Sequence, residues 1–326
     1  MKKPVVIVTE LEYGKGLEVF RTVDDIEIIK SSFSEESLAD LVREKKAFAV
    51  VLGVDRYTDA LYESLPEGGV IARFGVGYDG VDLDRAREKK LLVTNTPGVL
   101  EDAVAEQAVF LAGALLRKII PLDRNMRNGK WASELGNELK GKVWAVIGLG
   151  KIGRKVSRIA SFGFGAKVFA CEKYAPGNLE ELKDSCGVER ISSDYFEVAP
   201  CADILSLHLP PVEETRNYID AEKTKVLKKG SILINNARGA LIDEEALYDS
   251  LEGGNLAGAA LDVYQKEPYQ PVCTTKDLRK LPNVILTPHT ASSTKEACRR
   301  MAERVVQNIR YAINKEYHNM DLVPGN

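Results

Sequence analysis

The residues best suited to chemistry stand at the ends of short apolar runs. Arg238 closes SILINNAR, Glu267 follows AGAALDVYQK, and His289 closes VILTPH. An arginine grips a carboxylate through two parallel hydrogen bonds. A histidine beside a carboxylate has its protonated form stabilised, which readies it to hand a proton to a substrate. Reduction of a carbonyl next to a carboxylate needs both jobs at once. Taken alone, the three also fit unrelated surface or capping positions. The chain has three histidines, so an acid–base histidine must be His208, His289 or His318.

A second constellation is Gly148-Leu149-Gly150-Lys151-Ile152-Gly153, a GxGxxG that follows the apolar run VWAVI and opens the helical stretch KVSRIASFGF. Strand before and helix after are the context in which the motif binds a dinucleotide. Gly148 permits the tight turn, Gly150 lets the backbone approach a diphosphate, and Gly153 lets helix and strand pack closely. The helix N-terminus then holds the phosphates. Glu172 lies 19 residues beyond Gly153. There a carboxylate accepts hydrogen bonds from ribose hydroxyls and repels a 2′-phosphate, so NAD is expected over NADP. Lys173 beside it opposes that preference if it turns towards a phosphate.

These groups need a frame, and the hydrophobic pattern supplies one. β-branched runs (VVIVT, IEII, AFAVVL, VIARF, LLVTN) alternate with charged stretches such as SEESLADLVREKK, which read as solvent-facing helices. A second series begins at Val143: VWAVIG, KVFACE, ILSLHL, SILINNA, AGAALDV and VILTPH. The pattern predicts an α/β protein of two doubly wound, parallel-sheet lobes with a ligand cleft between them. An amphipathic helix over roughly 102–119 joins the two series, and another spans about 293–314.

The 326 residues suit two cores, and 44% hydrophobic with 29% charged residues is a globular composition. A net charge of −3 supplies no basic field for nucleic acid or an anionic membrane. No apolar run is long enough to span a bilayer, and the start is too short in apolar residues for a signal peptide. The five cysteines (171, 186, 201, 273 and 298) lack metal-type spacing, so no metal site is expected. Reduced thiols in the cytoplasm are the expectation.

GLGKIG, SLHLPP, NNARGALID, GAALDVYQKEP and NVILTPHTASST, with RFGVGYDGVDL and TNTPGVLEDAVAE nearer the front, resemble the signatures of the D-isomer-specific 2-hydroxyacid dehydrogenases. The resemblance covers nearly the whole chain. It implies hydride transfer between NAD(H) and a small 2-hydroxy or 2-keto acid. Arg238 would bind the substrate, His289 would act as general acid–base, and Glu267 would orient it. Gly75, Val76 and Gly77 would hold the substrate carboxylate through main-chain N–H groups. Asp262 would fix the nicotinamide carboxamide, and Leu209, Asn236 and Ala237 would line the cofactor. His208 would be a cofactor-pocket residue. A Rossmann NAD-binding domain over 102–292 and a flavodoxin-like substrate domain from 1–101 plus 293–326 follow, as does a homodimer using the segment around Trp131.

Within that family TPGVLEDAVAE is more similar to glyoxylate/hydroxypyruvate reductases and related sugar-acid reductases than to phosphoglycerate dehydrogenases. Val51-Leu52-Gly53 stands where a phosphate-binding arginine segment is expected of a 3-phosphoglycerate dehydrogenase. A D-lactate-type dehydrogenase is a further alternative. Glu267 argues against a formate dehydrogenase, which lacks an acidic partner for the histidine. A non-enzymatic NAD-sensing scaffold, of the corepressor kind, is the alternative from another class. Several reductases of this branch use NADPH, whereas Glu172 points to NAD.

Overall fold

Twelve parallel strands form two separate sheets in a computed structural model that describes residues 3–173 and 179–325. The chain divides into two units, Met1–Leu100 with Ser292–Asn326, and Glu101–Ala291. The first holds β1 (Val5–Thr9), β2 (Glu27–Ser31), β3 (Ala49–Leu52), β4 (Val70–Arg73) and β5 (Leu92–Thr94), in the flavodoxin-like order β2-β1-β3-β4-β5. Strands β1, β3 and β4 are buried along their whole length, which is why they read as unbroken apolar runs.

The second unit holds β6 (Val143–Ile147), β7 (Lys167–Cys171), β8 (Val188–Ser192), β9 (Ile204–Leu207), β10 (Ser231–Asn235), β11 (Leu256–Leu261) and β12 (Val284–Leu286). Their order is β12-β11-β10-β9-β6-β7-β8, the Rossmann order with one strand added. The chain works outwards in both directions from β6 and β9. The carboxyl ends of those two strands therefore flank the switch point where such sheets bind ligands. Strand β8 does not stand out in the sequence. It is an edge strand whose Glu189 and Arg190 are exposed, so it lacks an apolar run.

The helix expected over 102–119 is observed as Glu101–Leu116, and more than half of its positions are buried. Lys118 then takes a left-handed conformation, φ 53°, and a second helix runs Ile119–Arg127. Pro121 explains the break: it has no N–H to continue a helix, yet fits the first turn of a new one. The Leu116 carbonyl is instead satisfied by Asn137 N–H at 2.9 Å.

The last helix, Lys295–Ile313, belongs to the first unit and buries Ala297, Met301, Val305 and Ile309 along one face. Thr294 Oγ1 caps its start by accepting from Ala297 N–H at 3.1 Å. Asn308, fully buried, ties the helix to two other segments. Its Nδ2 donates to Asn95 O and Asp321 Oδ2, and its Oδ1 accepts from Asp321 N–H at 2.9 Å. Asn308→Ala strands these groups, so urea unfolding should show a loss of about 1–3 kcal/mol. An unchanged midpoint would remove Asn308 from that role.

Candidate active site

The glycine-rich turn leaves β6 at the switch point. Gly148 has φ +95°, and a Cβ there would lie 2.7 Å from the His208 carbonyl oxygen. Gly150 is the N-cap of the helix Lys151–Arg158, and no side chain caps that helix. A Cβ on Gly150 would meet nothing within 4 Å, so the approach to the first-turn N–H groups is open. A Cβ on Gly153 would sit 2.0 Å from Gly148 O, so helix and turn are packed backbone to backbone. Lys151 is exposed, and Ile152 packs against the core of the unit. Glu172 follows β7, and its Oε2 accepts Leu149 N–H at 2.7 Å, which holds the carboxylate against the turn. Lys173 is turned to Glu214, Nζ to Oε2 2.6 Å. An uncapped helix start, a turn that only glycine can build and a carboxylate at the next strand end fit a dinucleotide's diphosphate and ribose.

His208 follows β9. Its Nε2 lies 2.9 Å from Ser206 Oγ, and Ser206 Oγ accepts Trp144 Nε1–H at 2.9 Å. The hydroxyl keeps a second lone pair and its own hydrogen, so it can either accept from Nε2 or donate to it. Burial pushes the imidazole down to about 3. His208 is a neutral group at physiological pH. His318 is exposed in the first unit.

Arg238, Glu267 and His289 follow β10, β11 and β12, three adjacent strands of one sheet. His289 Nδ1 and Glu267 Oε2 are 2.7 Å apart, with side chains 24% and 27% exposed. A carboxylate only accepts, so Nδ1 carries the hydrogen and Nε2 is left for exchange with a ligand. Glu267 Oε1 accepts Tyr264 N–H at 3.0 Å, so both its oxygens are held. Arg238 Nη1 donates to Ala237 O at 2.7 Å. Asn235 braces that loop from both sides: Nδ2 donates to Arg238 O at 2.8 Å and Oδ1 accepts Ala237 N–H at 3.1 Å.

His289 adopts φ +51°, a left-handed conformation uncommon outside glycine. Asp262 holds it there. His289 N–H donates to Asp262 O at 2.8 Å, while the carboxylate accepts Thr290 N–H at 2.9 Å and Ala291 N–H at 2.8 Å. Thr287 Oγ1 and Gln107 Nε2 donate to the same carboxylate. Asp262 is fully buried, and these donors all come from the chain itself. Gln107 also accepts from Asn236 Nδ2, which donates in addition to Val104 O at 2.8 Å. Asn236 Oδ1 is buried and has no partner among the described residues. Leu209 and Ala237 pack on the unit's core.

Gly75, Val76 and Gly77 follow β4 in the first unit. Their carbonyls are engaged by Thr96 N–H at 3.0 Å, Asn95 Nδ2 at 2.7 Å and Arg73 Nε at 3.0 Å. In a trans peptide the N–H points opposite to the carbonyl, so the N–H groups that follow are turned the other way.

Asn235, Gln107, Tyr264, Thr287, Thr290 and Arg73 escaped sequence reasoning. The signal available for several was a polar side chain at the end of an apolar run. Among the described residues no group of His, Cys, Asp and Glu could hold a metal ion, and no helix is long and apolar enough to cross a membrane.

Residues 109–291 match the model of the D-isomer specific 2-hydroxyacid dehydrogenase, NAD binding domain. The chain is 36% identical over 318 residues to a glyoxylate reductase of Thermococcus litoralis, covering 94% of this chain and 93% of that one. It is 33% identical over 325 residues to a D-3-phosphoglycerate dehydrogenase of Methanocaldococcus jannaschii, covering 98% of this chain and 60% of that one. Among solved structures it is similar to the NADPH-dependent glyoxylate/hydroxypyruvate reductase of Sinorhizobium meliloti in complex with NADP and malonate. That match has a TM-score of 0.82 and 28% identity, and covers 96% and 94% of the two chains. Fold and sequence together define a nicotinamide-dinucleotide-dependent oxidoreductase. The chain belongs to the D-isomer specific 2-hydroxyacid dehydrogenase family.

The two glycines of the turn separate packing from ligand approach. Gly153→Ala should cost about 1–3 kcal/mol through overpacking, read as a lower Tm and weaker NADH binding. Gly150→Ala should keep the native Tm and weaken NADH binding alone, measured by fluorescence titration. Equal Tm losses in both variants would refute this division.

Proposed function

We propose that the protein reduces a small 2-keto acid, glyoxylate or hydroxypyruvate foremost, to the 2-hydroxy acid with NADH. The observation that carries this is the 2.7 Å pair of His289 and Glu267, one strand from the loop of Arg238. Arg238 grips the substrate carboxylate and draws charge from the carbonyl oxygen. His289 Nε2 gives that oxygen its proton, while Nδ1–H stays on Glu267. Glu267 fixes the ring's orientation and balances the imidazolium charge. The loop Gly75-Val76-Gly77 is assigned the carboxylate as well, with the N–H groups of Val76 and Gly77 turned away from the bound carbonyls that precede them.

The bound dinucleotide supplies the hydride to the carbonyl carbon. The turn Gly148–Gly153, with Lys151 and Ile152, holds its diphosphate. Glu172 takes the ribose hydroxyls, and Leu209, Asn236 and Ala237 line the nicotinamide end. Asn236 Oδ1, buried without a partner, suits a carboxamide donor. Asp262 serves the same end of the site through the backbone that it holds. NADH is favoured because Glu172 is anchored on Leu149 N–H and Lys173 is engaged by Glu214. The glyoxylate reductases among the relatives support the substrate.

The reading extends to a homodimer in the cytoplasm. Trp131 and Leu135 are 90% and 93% exposed, and Phe110, Ile119 and Met126 add apolar surface on the same unit. Apolar side chains left this exposed favour a second copy as cover. All five cysteines are unpaired, which suits a reducing compartment. Trp131→Ser should shift sedimentation equilibrium towards monomer. A native protein that is already monomeric would end the dimer proposal.

Turnover of glyoxylate and hydroxypyruvate, with NADH and with NADPH, tests the central reading. NADH should give the higher kcat/KM. His289→Ala should lose on the order of 100-fold or more in kcat, with NADH binding retained. Glu267→Gln removes the charge beside the ring, so kcat should fall while NADH binding is retained. A fully active His289→Ala would sink the mechanism.

A further inference from the structure

The bend that carries Glu267 runs back against the segment that follows Arg238. A methyl group on Gly239 would lie 1.9 Å from the Tyr264 carbonyl carbon and 2.5 Å from Gln265 N, so the two backbones touch. Gln265 is then held by three hydrogen bonds. Its Nε2 donates to Ile242 O at 2.6 Å and to Asn217 Oδ1 at 3.2 Å, and its backbone N–H donates to Glu244 Oε1 at 2.7 Å. Two residues further on stands Glu267, bonded to His289.

Glu244 opens the helix Glu244–Glu252 but does not cap it. Asp243 does that, accepting from Glu245 N–H at 3.0 Å and Ala246 N–H at 3.2 Å. A glutamate in a first turn ordinarily stays in water near the helix dipole. Glu244 is only 5% exposed, and its Oε2 is buried with no hydrogen-bond partner among the described residues. An ionised oxygen left in that position is costly, whereas a neutral carboxyl group is far less so. Some benefit must offset the burial, and among the described residues the side-chain hydrogen bond of Glu244 goes to the loop of Glu267.

We propose that Glu244 is a positioning residue: as a neutral carboxyl group it grips Gln265 N–H and so holds Glu267 in line with His289 Nδ1. This rests on the reading of Glu267 and His289 as the proton-transfer pair. Burial lifts the Glu244 carboxyl above the usual carboxylate range. Gln265 N–H acts the other way, and the charges of Asp243 and Glu267 add to the rise. The titratable groups that face it are Asp243 at its own helix start, and Glu267 and Tyr269 from the bend. A second anion here would push against Glu267, and a neutral acid holds the peptide without doing so.

The test compares Glu244→Gln, Glu244→Met, Glu267→Gln and the Met/Gln double variant for kcat, KM and pH profile with a 2-keto acid and NADH. Glutamine keeps a carbonyl acceptor for Gln265 N–H and is uncharged, so it should retain most of kcat and the native pH profile. Methionine keeps the volume but offers no acceptor, so kcat should fall about 10- to 100-fold, the scale of a small misplacement. KM for NADH should not change. In the Glu267→Gln background the Met substitution should add little, because its effect passes through the Glu267 carboxylate. An equal Met loss in both backgrounds, or a Gln variant that loses tenfold, would overturn the proposal. The Gln variant decides alone if the Met variant does not fold. A silent Glu267→Gln would instead overturn the reading of the pair, so the two failures are told apart.

Discussion

A single buried carboxylate organises the edge of the second sheet. Asp262 ends β11 at full burial, a place where an unpaired charge would be prohibitive. The chain answers by folding the next strand's exit around it. Thr290 N–H, Ala291 N–H and the Thr287 hydroxyl all turn inwards to the carboxylate. Once those donors are committed, the residue between them has little choice of backbone conformation, and His289 is forced to φ +51°. Gln107 extends the same network to Asn236 and so to the end of β10. The positions of three strand ends thus follow from the need to satisfy one charge.

Asp262, Glu267 and Glu244 are three acidic residues close to this edge in three environments. Asp262 is dry and surrounded by donors. Glu267 is a quarter exposed and shared between Tyr264 N–H and the His289 ring. Glu244 is buried with one oxygen bonded and the other bare. The same functional group is therefore a structural anchor, a charged partner and a candidate neutral clamp, according to what each oxygen meets. Gly239 makes this arrangement possible, since any side chain there would drive the Arg238 loop off the bend of Glu267.

Much of this was legible in the sequence. Eleven of the strand runs stood out because central parallel strands are buried on both faces and so lose their polar residues. The GxGxxG was readable because its glycines answer to backbone geometry, and Arg238, Glu267 and His289 because each stands just past a strand. Other features were not legible, for physical reasons. Edge strand β8 carries Glu189 and Arg190 in the open and has no apolar run to show. The break after Leu116 depends on Pro121, whose place in a first turn is clear only once Lys118 is known to reverse the chain. Gln107 and Asp262 act by bonding residues far away in sequence, and no local pattern marks such partners. The resemblance singled out Asp262 for a carboxamide, but the chain's own donors to its carboxylate are visible only in the fold.

His208 and His289 illustrate how much the first neighbour of a ring nitrogen decides. Both follow strands of the same parallel sheet, so both lie at its carboxyl edge. His208 meets a serine hydroxyl that also accepts the Trp144 indole N–H, a neutral partner with no charge to balance an imidazolium. Burial pushes the ring down to about 3. His289 meets a carboxylate, which can only accept, so its Nδ1 must donate and its Nε2 is the nitrogen left over. One ring has a neutral hydroxyl for its neighbour, and the other has a carboxylate that a backbone N–H holds in place. The resemblance already separated the two histidines, and Ser206 and Glu267 give that separation its physical ground.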